Sequence, residues 1–188
     1  ASGGDDTIFG TDLADVLNGG AGDDRLLGLD GDDQIAGGTG TDWLMGAAGS
    51  DLYRFARGDG ADRISDTGGT NDVIEFAAGI LPEHLRIEQS RDGLQLAISI
   101  IGTNDRILID NALTSGRIEK LRFDGGLEWS FTDLLARVAG AGEDVITGDA
   151  AANVLAGGLG NDLLIGGDGN DAYIFTRGDG RDRIADGS

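Results

Sequence analysis

The amino-acid sequence predicts an all-β protein made of two parallel β-rolls, separated by a small β-rich module that ends in a short helix. Three observations carry this prediction. A nine-residue repeat runs through residues 1–76 and 139–188. Glycine supplies 35 of the 188 residues, which suits a chain that turns sharply at short intervals. The repeat stops over residues 77–138, where the composition changes.

The repeat is clearest between Gly19 and Met45, which reads GGAGDDRLL, GLDGDDQIA and GGTGTDWLM in successive units. Each unit begins with glycine, has aspartate at position six and has an aliphatic residue at position eight. A longer period is also present, because DLYRFARGDGADRISD and DAYIFTRGDGRDRIAD agree at 11 of 16 places, 120 residues apart. We therefore expect two copies of one repeat block. Because both ends of the chain lie in repeat-like sequence, we also expect a longer parent protein.

Nine residues are too few for a helical repeat unit, but they suit a three-residue strand followed by a six-residue turn. Glycine at positions one, two and four would supply the positive φ angles that such turns require. The chain would reverse at each turn and return after about two units to the same side, one strand higher. The aliphatic residue at position eight would then point inward and form a thin stacked core.

The middle segment is a different kind of polypeptide. Residues 77–138 hold 9 acidic residues, 7 basic residues and 6 glycines, against 16, 4 and 17 in residues 1–76. The stretches LRIEQ, GLQLAISII and RIEKLRF predict β-strands. The stretch SFTDLLARVAG predicts a helix near 132–139, capped by Ser130 or Thr132 and ended by Gly140. The predicted domains are thus 1–76, 77–138 and 139–188.

The charge of the chain narrows the classes of partner. Its 34 acidic and 14 basic residues give a net charge of −20 at neutral pH. Nucleic acid is disfavoured because phosphate binding requires a basic surface, whereas metal cations are favoured. The absence of cysteine excludes disulfides and thiolate metal sites. No apolar run approaches the length of a membrane span, no signal peptide is visible at the start, and we expect a monomer.

The regular spacing of aspartate indicates a calcium site. Position-six aspartates two units apart would lie one rung apart, about 4.8 Å along the stack. A calcium–oxygen bond is about 2.4 Å long, so an ion between two rungs can contact both carboxylates. Backbone carbonyls of the glycine turns can complete the oxygen shell, since glycine allows close approach. An EF-hand is excluded, because its loop requires glycine at six and glutamate at twelve and DGDDQIAGG does not supply them.

The units GGAGDDRLL, GGTGTDWLM, GGLGNDLLI and GGDGNDAYI resemble, at every fixed position, the nonapeptide G-G-x-G-x-D-x-U-x of RTX (repeats-in-toxin) proteins. The segments GTNDRILIDN and RIEKLRFDGGLEW resemble the haemolysin-type calcium-binding-related module that separates repeat blocks in that family. The resemblance implies calcium-bound parallel β-rolls with about 6 to 9 ions. Each ion would take the position-six aspartate and carbonyls two and four of one loop. From the loop one rung higher it would take the position-six aspartate and carbonyls one and three.

Carried onto this chain, the resemblance implies a long set of metal ligands. In the first block they are Asp6, Asp15, Gly20, Gly22, Asp24, Gly31, Asp33, Gly37, Gly38, Thr39, Gly40, Asp42, Gly46, Ala48, Gly49, Asp51, Asp59, Asp62, Gly69 and Asp72. In the second block they are Gly140, Gly142, Asp144, Gly157, Gly158, Leu159, Gly160, Asp162, Gly166, Asp168, Asp171, Asp179 and Asp182.

Two units depart from the repeat. GTDLADVLN lacks glycine at positions two and four, which predicts a weaker site at Asp15. GDAAANVLA has Asn153 at position six, which predicts a weak site with Asp171. Asp23 and Asp32 stand at position five, where the side chain should face water and should not hold an ion.

The resemblance further implies a non-catalytic module of a protein that type I secretion machinery exports from a Gram-negative bacterium. Such a module would be disordered without calcium and would fold outside the cell. The alternative is a calcium-stiffened structural or adhesive array of a surface or biofilm protein. An enzyme is the third possibility: a triad of His84, Ser90 and an acid can be drawn, but no nucleophile-elbow sequence surrounds Ser90.

Overall fold

A computed structural model describes residues 3–89, 95–112, 118–135, 143–148, 153–158, 160–175 and 180–187. These residues form a parallel β-solenoid with one short α-helix, which confirms the predicted all-β fold built from β-rolls. The chain divides into two compact units, residues 1–86 with 90–130 and residues 87–89 with 131–188. Among the described helices, none is long and apolar enough to cross a membrane.

Successive strands of the first repeat block alternate between two sheets. The first sheet has the spatial order β1 (Thr7–Phe9), β3 (Arg25–Asp30), β5 (Trp43–Ala48), β7 (Ala61–Ile64), β11 (Arg106–Asp110), β10 (Gln95–Ile100) and β9 (Leu85–Gln89). The second sheet has the order β13 (Glu128–Ser130), β12 (Lys120–Arg122), β8 (Val73–Phe76), β6 (Leu52–Phe55), β4 (Gln34–Thr39) and β2 (Val16–Ala21). Strands β2 to β5 have six residues each rather than the expected three, because pairing continues through positions one to three of the next unit.

The parallel register follows the repeat. Leu26 pairs with Leu44, 18 residues later, as two nonapeptides predict. Leu44 pairs with Ile64, and Tyr53 with Ile74, so these two rungs hold two and three extra residues respectively. The extra residues lie in the turns between strands. Position eight therefore keeps its place in the stack despite the slips in the sequence.

The core of the first roll is the stack of position-eight side chains. Strand alternation directs positions seven and nine outward and position eight inward. The position-eight residues that are at least nine-tenths buried are Leu17, Leu26, Ile35, Leu44, Tyr53, Ile64 and Ile74. Leu155 and Leu164 fill the same place in the second roll. The core is one side chain wide, so hydrophobic burial is limited and the rest of the section is filled by glycine backbone and carboxylates.

The glycine positions serve two different purposes, and the expectation that all three require positive φ is wrong. At positions two and four the backbone is left-handed, as at Gly20 (φ 105°) and Gly22 (φ 124°). Gly19 and Gly37 at position one have no positive φ. There, an added Cβ would collide with an aspartate carboxylate of the same unit. Glycine is needed at position one for space and at positions two and four for backbone angle.

The described strands of the middle segment extend the sheets of the first repeat block. Strand β11 pairs in parallel with β7, and β12 pairs in parallel with β8. Strands β10 and β11 then pair antiparallel, as do β12 and β13, which ends the one-way winding. The predicted strands in LRIEQ, GLQLAISII and RIEKLRF are confirmed as β9, β10 and β12. The division into three domains stays a prediction.

The second unit repeats the roll on a smaller scale. One sheet has the order β14 (Val145–Thr147), β16 (Leu163–Ile165) and β18 (Arg183–Ala185), and β15 (Val154–Ala156) pairs with β17 (Ala172–Ile174). The helix α1 (Phe131–Leu135) begins one residue before the expected range and contacts β15, with Leu134 buried. Residues 136–140, where the sequence predicts the end of the helix, lie outside the described residues.

Candidate metal centre

Position-six carboxylates form columns along each roll. The backbone N–H of Asp24 donates to Oδ1 of Asp42 at 2.8 Å, and that of Asp33 donates to Oδ1 of Asp51 at 2.9 Å. The same bond to the next rung joins Asp6 to Asp24, Asp15 to Asp33, Asp42 to Asp62, Asp51 to Asp72, Asp144 to Asp162, Asn153 to Asp171 and Asp162 to Asp182. The structure therefore brings together the carboxylate pairs that the repeat register predicts. Their role as calcium ligands stays a prediction.

In several of these carboxylates the second oxygen is buried and accepts no hydrogen bond from the described residues. The atoms are Oδ2 of Asp24, Asp33, Asp42, Asp51, Asp72, Asp144 and Asp171. A buried polar atom without a partner loses its hydration and gains nothing in return, and the penalty is larger for a charged group. Native proteins hold a few such atoms, but a regular series of buried carboxylate oxygens is an arrangement that suits a cation.

For Asp24 and Asp33, this oxygen lies close to the carbonyl of a glycine one rung higher. A Cβ added to Gly19 would meet both Oδ2 of Asp24 and the carbonyl oxygen of Gly37. A Cβ added to Gly28 would likewise meet Oδ2 of Asp33, and the carbonyl oxygen of Gly46 at 2.9 Å. Carboxylate and carbonyl oxygens thus converge on a space that a side chain would fill. Hard oxygen donors of this kind suit calcium, so the residues present fit the ion that the repeat predicts.

We expect Gly28→Ala to remove calcium sites by crowding the carboxylate column. Gly28 has no positive φ, but the new methyl group would meet Oδ2 of Asp33. Gly58→Ala is the matched control, because Gly58 has φ 91° and no atom within 4 Å of an added Cβ. The control should cost about 1 kcal/mol in folding free energy and leave the bound calcium unchanged. Bound calcium per chain should fall by one or two ions in Gly28→Ala alone; equal counts in both variants would contradict the crowding argument.

The electrostatics of the calcium-free columns oppose ionisation. Burial is the largest cause in each case, and it raises the pKa of Asp51 to about 6, of Asp72 to about 7 and of Asp62 to about 8. Burial also raises the pKa of Asp33 and Asp42, and neighbouring carboxylates add to both shifts. Backbone N–H donors act in the opposite direction, but they do not cancel the desolvation. Without a cation, the raised pKa of Asp62 favours its protonated form at neutral pH, and Asp72 is close to half-protonated there.

We expect acid to substitute partly for calcium in folding the chain. The raised pKa values lie above the ordinary value of 3.8, so the calcium-free roll binds more protons than the unfolded chain. Its stability should rise as pH falls through about 8 to 6, and it should be greatest below 3.8. Far-UV circular dichroism in excess chelator should gain β-structure between pH 8 and 5. The same scan in saturating calcium should stay flat, and a chelated sample that gains nothing would contradict the expectation.

Two units depart from this arrangement at the positions where the sequence departs from the repeat. Oδ2 of Asp15 accepts hydrogen bonds from the backbone N–H and the hydroxyl of Thr11, at 2.6 and 2.9 Å. This oxygen is therefore already satisfied, which is consistent with the weaker site expected there. At Asn153 a neutral amide oxygen takes the place of the carboxylate beside Gly148.

Other predicted ligands have varied surroundings. Gly20 pairs with Gly38, Gly40 bridges to Gly60, and Gly160 bridges to Gly180, so the glycine turns are stacked in register. Asp59 accepts the N–H of Ala56 in a local turn, and Asp168 is exposed. Gly140, Gly142, Leu159 and Asp179 lie outside the described residues.

Position five does more than face water. The side chain of Asp23 is exposed as expected, but its Oδ1 also accepts the N–H of Thr41 at 2.8 Å. Asp32 accepts the N–H of Ser50 in the same way. A position-five carboxylate thus accepts an N–H from the rung above, whereas a position-six carboxylate accepts an N–H from the rung below. The expectation that Asp23 only faces water is therefore incomplete, because its carboxylate also accepts a hydrogen bond from a backbone N–H.

Sequence reasoning missed two acidic residues, Glu119 and Asp66, beside the column that contains Asp51 and Asp72. Glu119 accepts the N–H of Asp72 at 2.8 Å, and so continues the column by one further rung. The alignment of EKLRF (119–123) with DVIEF (72–76) could have indicated this, since Lys120 pairs with Val73. Asp66 is 1% exposed and lies beside Asp51 and Asp72.

Comparison with known families agrees with this geometry. Residues 1–35, 19–53 and 138–173 match the RTX calcium-binding nonapeptide repeat. The chain carries RTX calcium-binding repeats. Residues 96–133 match the haemolysin-type calcium binding protein related domain. The resemblance described from the sequence is therefore confirmed for the repeats and for the module between them.

Comparison of whole proteins adds little to the RTX assignment. No curated protein matches the chain. Among solved structures, the chain is similar to the extracellular lipase LipA from Serratia marcescens, with 23% sequence identity and a TM-score of 0.35. That match covers 95% of this chain and 27% of the lipase chain, so the RTX chain spans about a quarter of the lipase's length.

Proposed function

We propose that this RTX chain is a non-catalytic calcium-binding module that is disordered without calcium and folds on binding it. The observation that carries the proposal is the column of buried carboxylate oxygens that have no hydrogen-bond partner among the described residues. Calcium would neutralise these oxygens and join adjacent rungs. The residues that would hold it are the position-six aspartates and the glycine-turn carbonyls that face them.

We further propose that the module acts as a folding and secretion scaffold of a larger exported protein. Extracellular calcium modules have dissociation constants of about 0.1–1 mM. The concentration of free calcium in the cytosol is too low to fill such sites. The chain would therefore remain unfolded inside a Gram-negative cell, cross a type I secretion channel, and fold outside. The lack of cysteine is compatible with that route.

The second candidate function is a calcium-stiffened structural or adhesive array of a surface protein. The recurrence of one block after 120 residues favours it, because tandem copies could extend into a stalk. The two functions differ in what the parent protein contains. A catalytic domain beside these repeats supports the scaffold, whereas many further copies support the array.

The described residues around the sole histidine support a non-catalytic role. His84 Nδ1 accepts the N–H of Leu81 at 3.1 Å and lies 3.1 Å from a guanidinium nitrogen of Arg57. These contacts tie the ring to its own turn at the surface. Ser90, the serine of the imagined triad, lies outside the described residues.

Calcium binding measured by equilibrium titration on the full chain tests the proposal. We expect about 6 to 9 ions per chain, with dissociation constants in the submillimolar range. Magnesium should compete poorly, because it requires tighter octahedral geometry and retains its water. Fewer than two bound ions at millimolar calcium, or equal affinity for magnesium, would reject the proposal.

A further inference from the structure

The end of the first repeat block differs from the other rungs. Asp51, Asp66 and Asp72 are each no more than 1% exposed, and each offers a carboxylate oxygen within 4.8 Å of the other two. We propose that Asp66 joins Asp51 and Asp72 in a three-carboxylate calcium site, and that Tyr53 orients Asp66 toward the ion. The proposal rests on the calcium-binding function, but it assigns a ligand outside the nonapeptide pattern.

Two unsatisfied oxygens support an ion at this place. Oδ2 of Asp51 and Oδ2 of Asp72 are buried and accept no hydrogen bond from the described part of the chain. Three carboxylates this close repel one another strongly when ionised. A divalent cation between them converts that repulsion into attraction. The described lysines and arginines make no ion pair with any of the three carboxylates, so a bound cation is what can compensate their charge while they remain ionised.

Tyr53 fixes the third carboxylate by a short relay. The backbone N–H of Gly46 donates to the Tyr53 hydroxyl at 2.8 Å, and that hydroxyl donates to Oδ2 of Asp66 at 2.7 Å. Because the hydroxyl oxygen accepts the N–H of Gly46, its own hydrogen points to Asp66. The phenol stands at position eight of its unit, where all the other units except that of Tyr173 have an aliphatic residue. Its ring fills the core, and its hydroxyl holds Asp66 beside the column.

The tyrosine–aspartate contact recurs in the second roll, 120 residues later, although Asp186 is exposed where Asp66 is buried. Tyr173 donates its hydroxyl hydrogen to Oδ1 of Asp186 at 2.9 Å. A Cβ added to Gly166 would meet Oδ2 of Asp171, the Tyr173 hydroxyl and, at 2.7 Å, Oδ1 of Asp186. Oδ2 of Asp171 also has no partner among the described residues. Two independent copies of the block thus direct an extra aspartate to the end of a carboxylate column.

The extra carboxylate should make this site the tightest of the first roll. Calcium affinity rises with the number of charged ligands and with the rigidity of the site. Among the described residues, this is the one place where three carboxylates come together, and a buried tyrosine holds the third. We expect the ion here to bind first and to order the end of the roll, from which pairing extends to the neighbouring rungs.

Competitive calcium titration against a chelating dye tests the proposal on the full chain. Asp66→Asn keeps an oxygen for the Tyr53 hydroxyl but removes the charge. Asp30→Asn is the matched control, since Asp30 is exposed and loses the same charge. The tightest binding step should weaken by about tenfold in Asp66→Asn and by less than about threefold in Asp30→Asn. Tyr53→Phe should weaken the same step without changing the number of ions.

The outcomes separate this proposal from the function on which it rests. If the parent chain binds no calcium, the proposed function fails. If the parent binds calcium and Asp66→Asn titrates like Asp30→Asn, only the three-carboxylate site is overturned. Should Asp66→Asn not fold in saturating calcium, terbium replaces calcium in the parent and in Tyr53→Phe. Loss of tyrosine-sensitised emission at the first equivalent supports the site, and unchanged emission overturns it.

Discussion

Removing calcium should convert this chain from a β-roll into a largely disordered polypeptide. Without calcium, the chain combines a net charge of −20, a roll whose core is one side chain wide, and buried carboxylate oxygens that have no hydrogen-bond partner among the described residues. At about 1 mM calcium, a site with a dissociation constant of about 0.1 mM contributes roughly 1.4 kcal/mol. About nine such sites would supply on the order of 12 kcal/mol, which is the whole stability of a typical domain. Calcium should therefore decide whether the chain is folded.

Far-UV circular dichroism during a calcium titration measures this switch. We expect a coil-like spectrum in excess chelator and a cooperative change to β-structure as calcium rises to millimolar concentration. Magnesium at the same concentration and ionic strength is the control, and it should produce little of the change. A chelated sample with the spectrum of the loaded protein would show that the core and hydrogen bonds suffice without the ion.

Much of the roll could be predicted because the repeat imposes its own register. Once the nonapeptide is placed in phase, position eight must face inward and position-six aspartates must stack two units apart. Even the slips before Asp62 and Asp72 could be predicted, since the pattern resumes after them with the same residue types. Neighbouring rungs contact only each other, so a local pattern determines a local structure.

The repeat could not predict the contacts of residues that lie outside its regular positions. Asp66 and Glu119 lie outside position six, and only the turn geometry and the pairing of β12 with β8 bring them to the column. The role of position-one glycine was also misread. Glycine can be required either because φ is positive or because there is no room for a Cβ. The sequence is the same in both cases, so the structure is needed to tell which reason applies.

Removal of Asp24 should reduce the number of bound calcium ions, whereas removal of its neighbour Asp23 should not. Asp24 contacts Asp6 on the rung below and Asp42 on the rung above, so it should serve two ions. Asp23 is exposed and holds only a backbone N–H of the next rung, a role that water can take over in Asp23→Ala. Equilibrium titration should therefore show a loss of about two ions in Asp24→Ala and none in Asp23→Ala.

The position of the loss along the chain makes this prediction stricter. Removing Asp24 leaves the N–H of Asp6 without its acceptor and the carbonyl of Gly37 without a cation. Stacked rungs couple to their nearest neighbours, so the damage should spread through the first block and weaken the ions beside the lost pair. The second block has its own columns from Asp144 onward, and its ions should remain. Equal losses in the two variants would mean that position six holds the ions no more than position five does, and the ligand set implied by the resemblance would then be wrong.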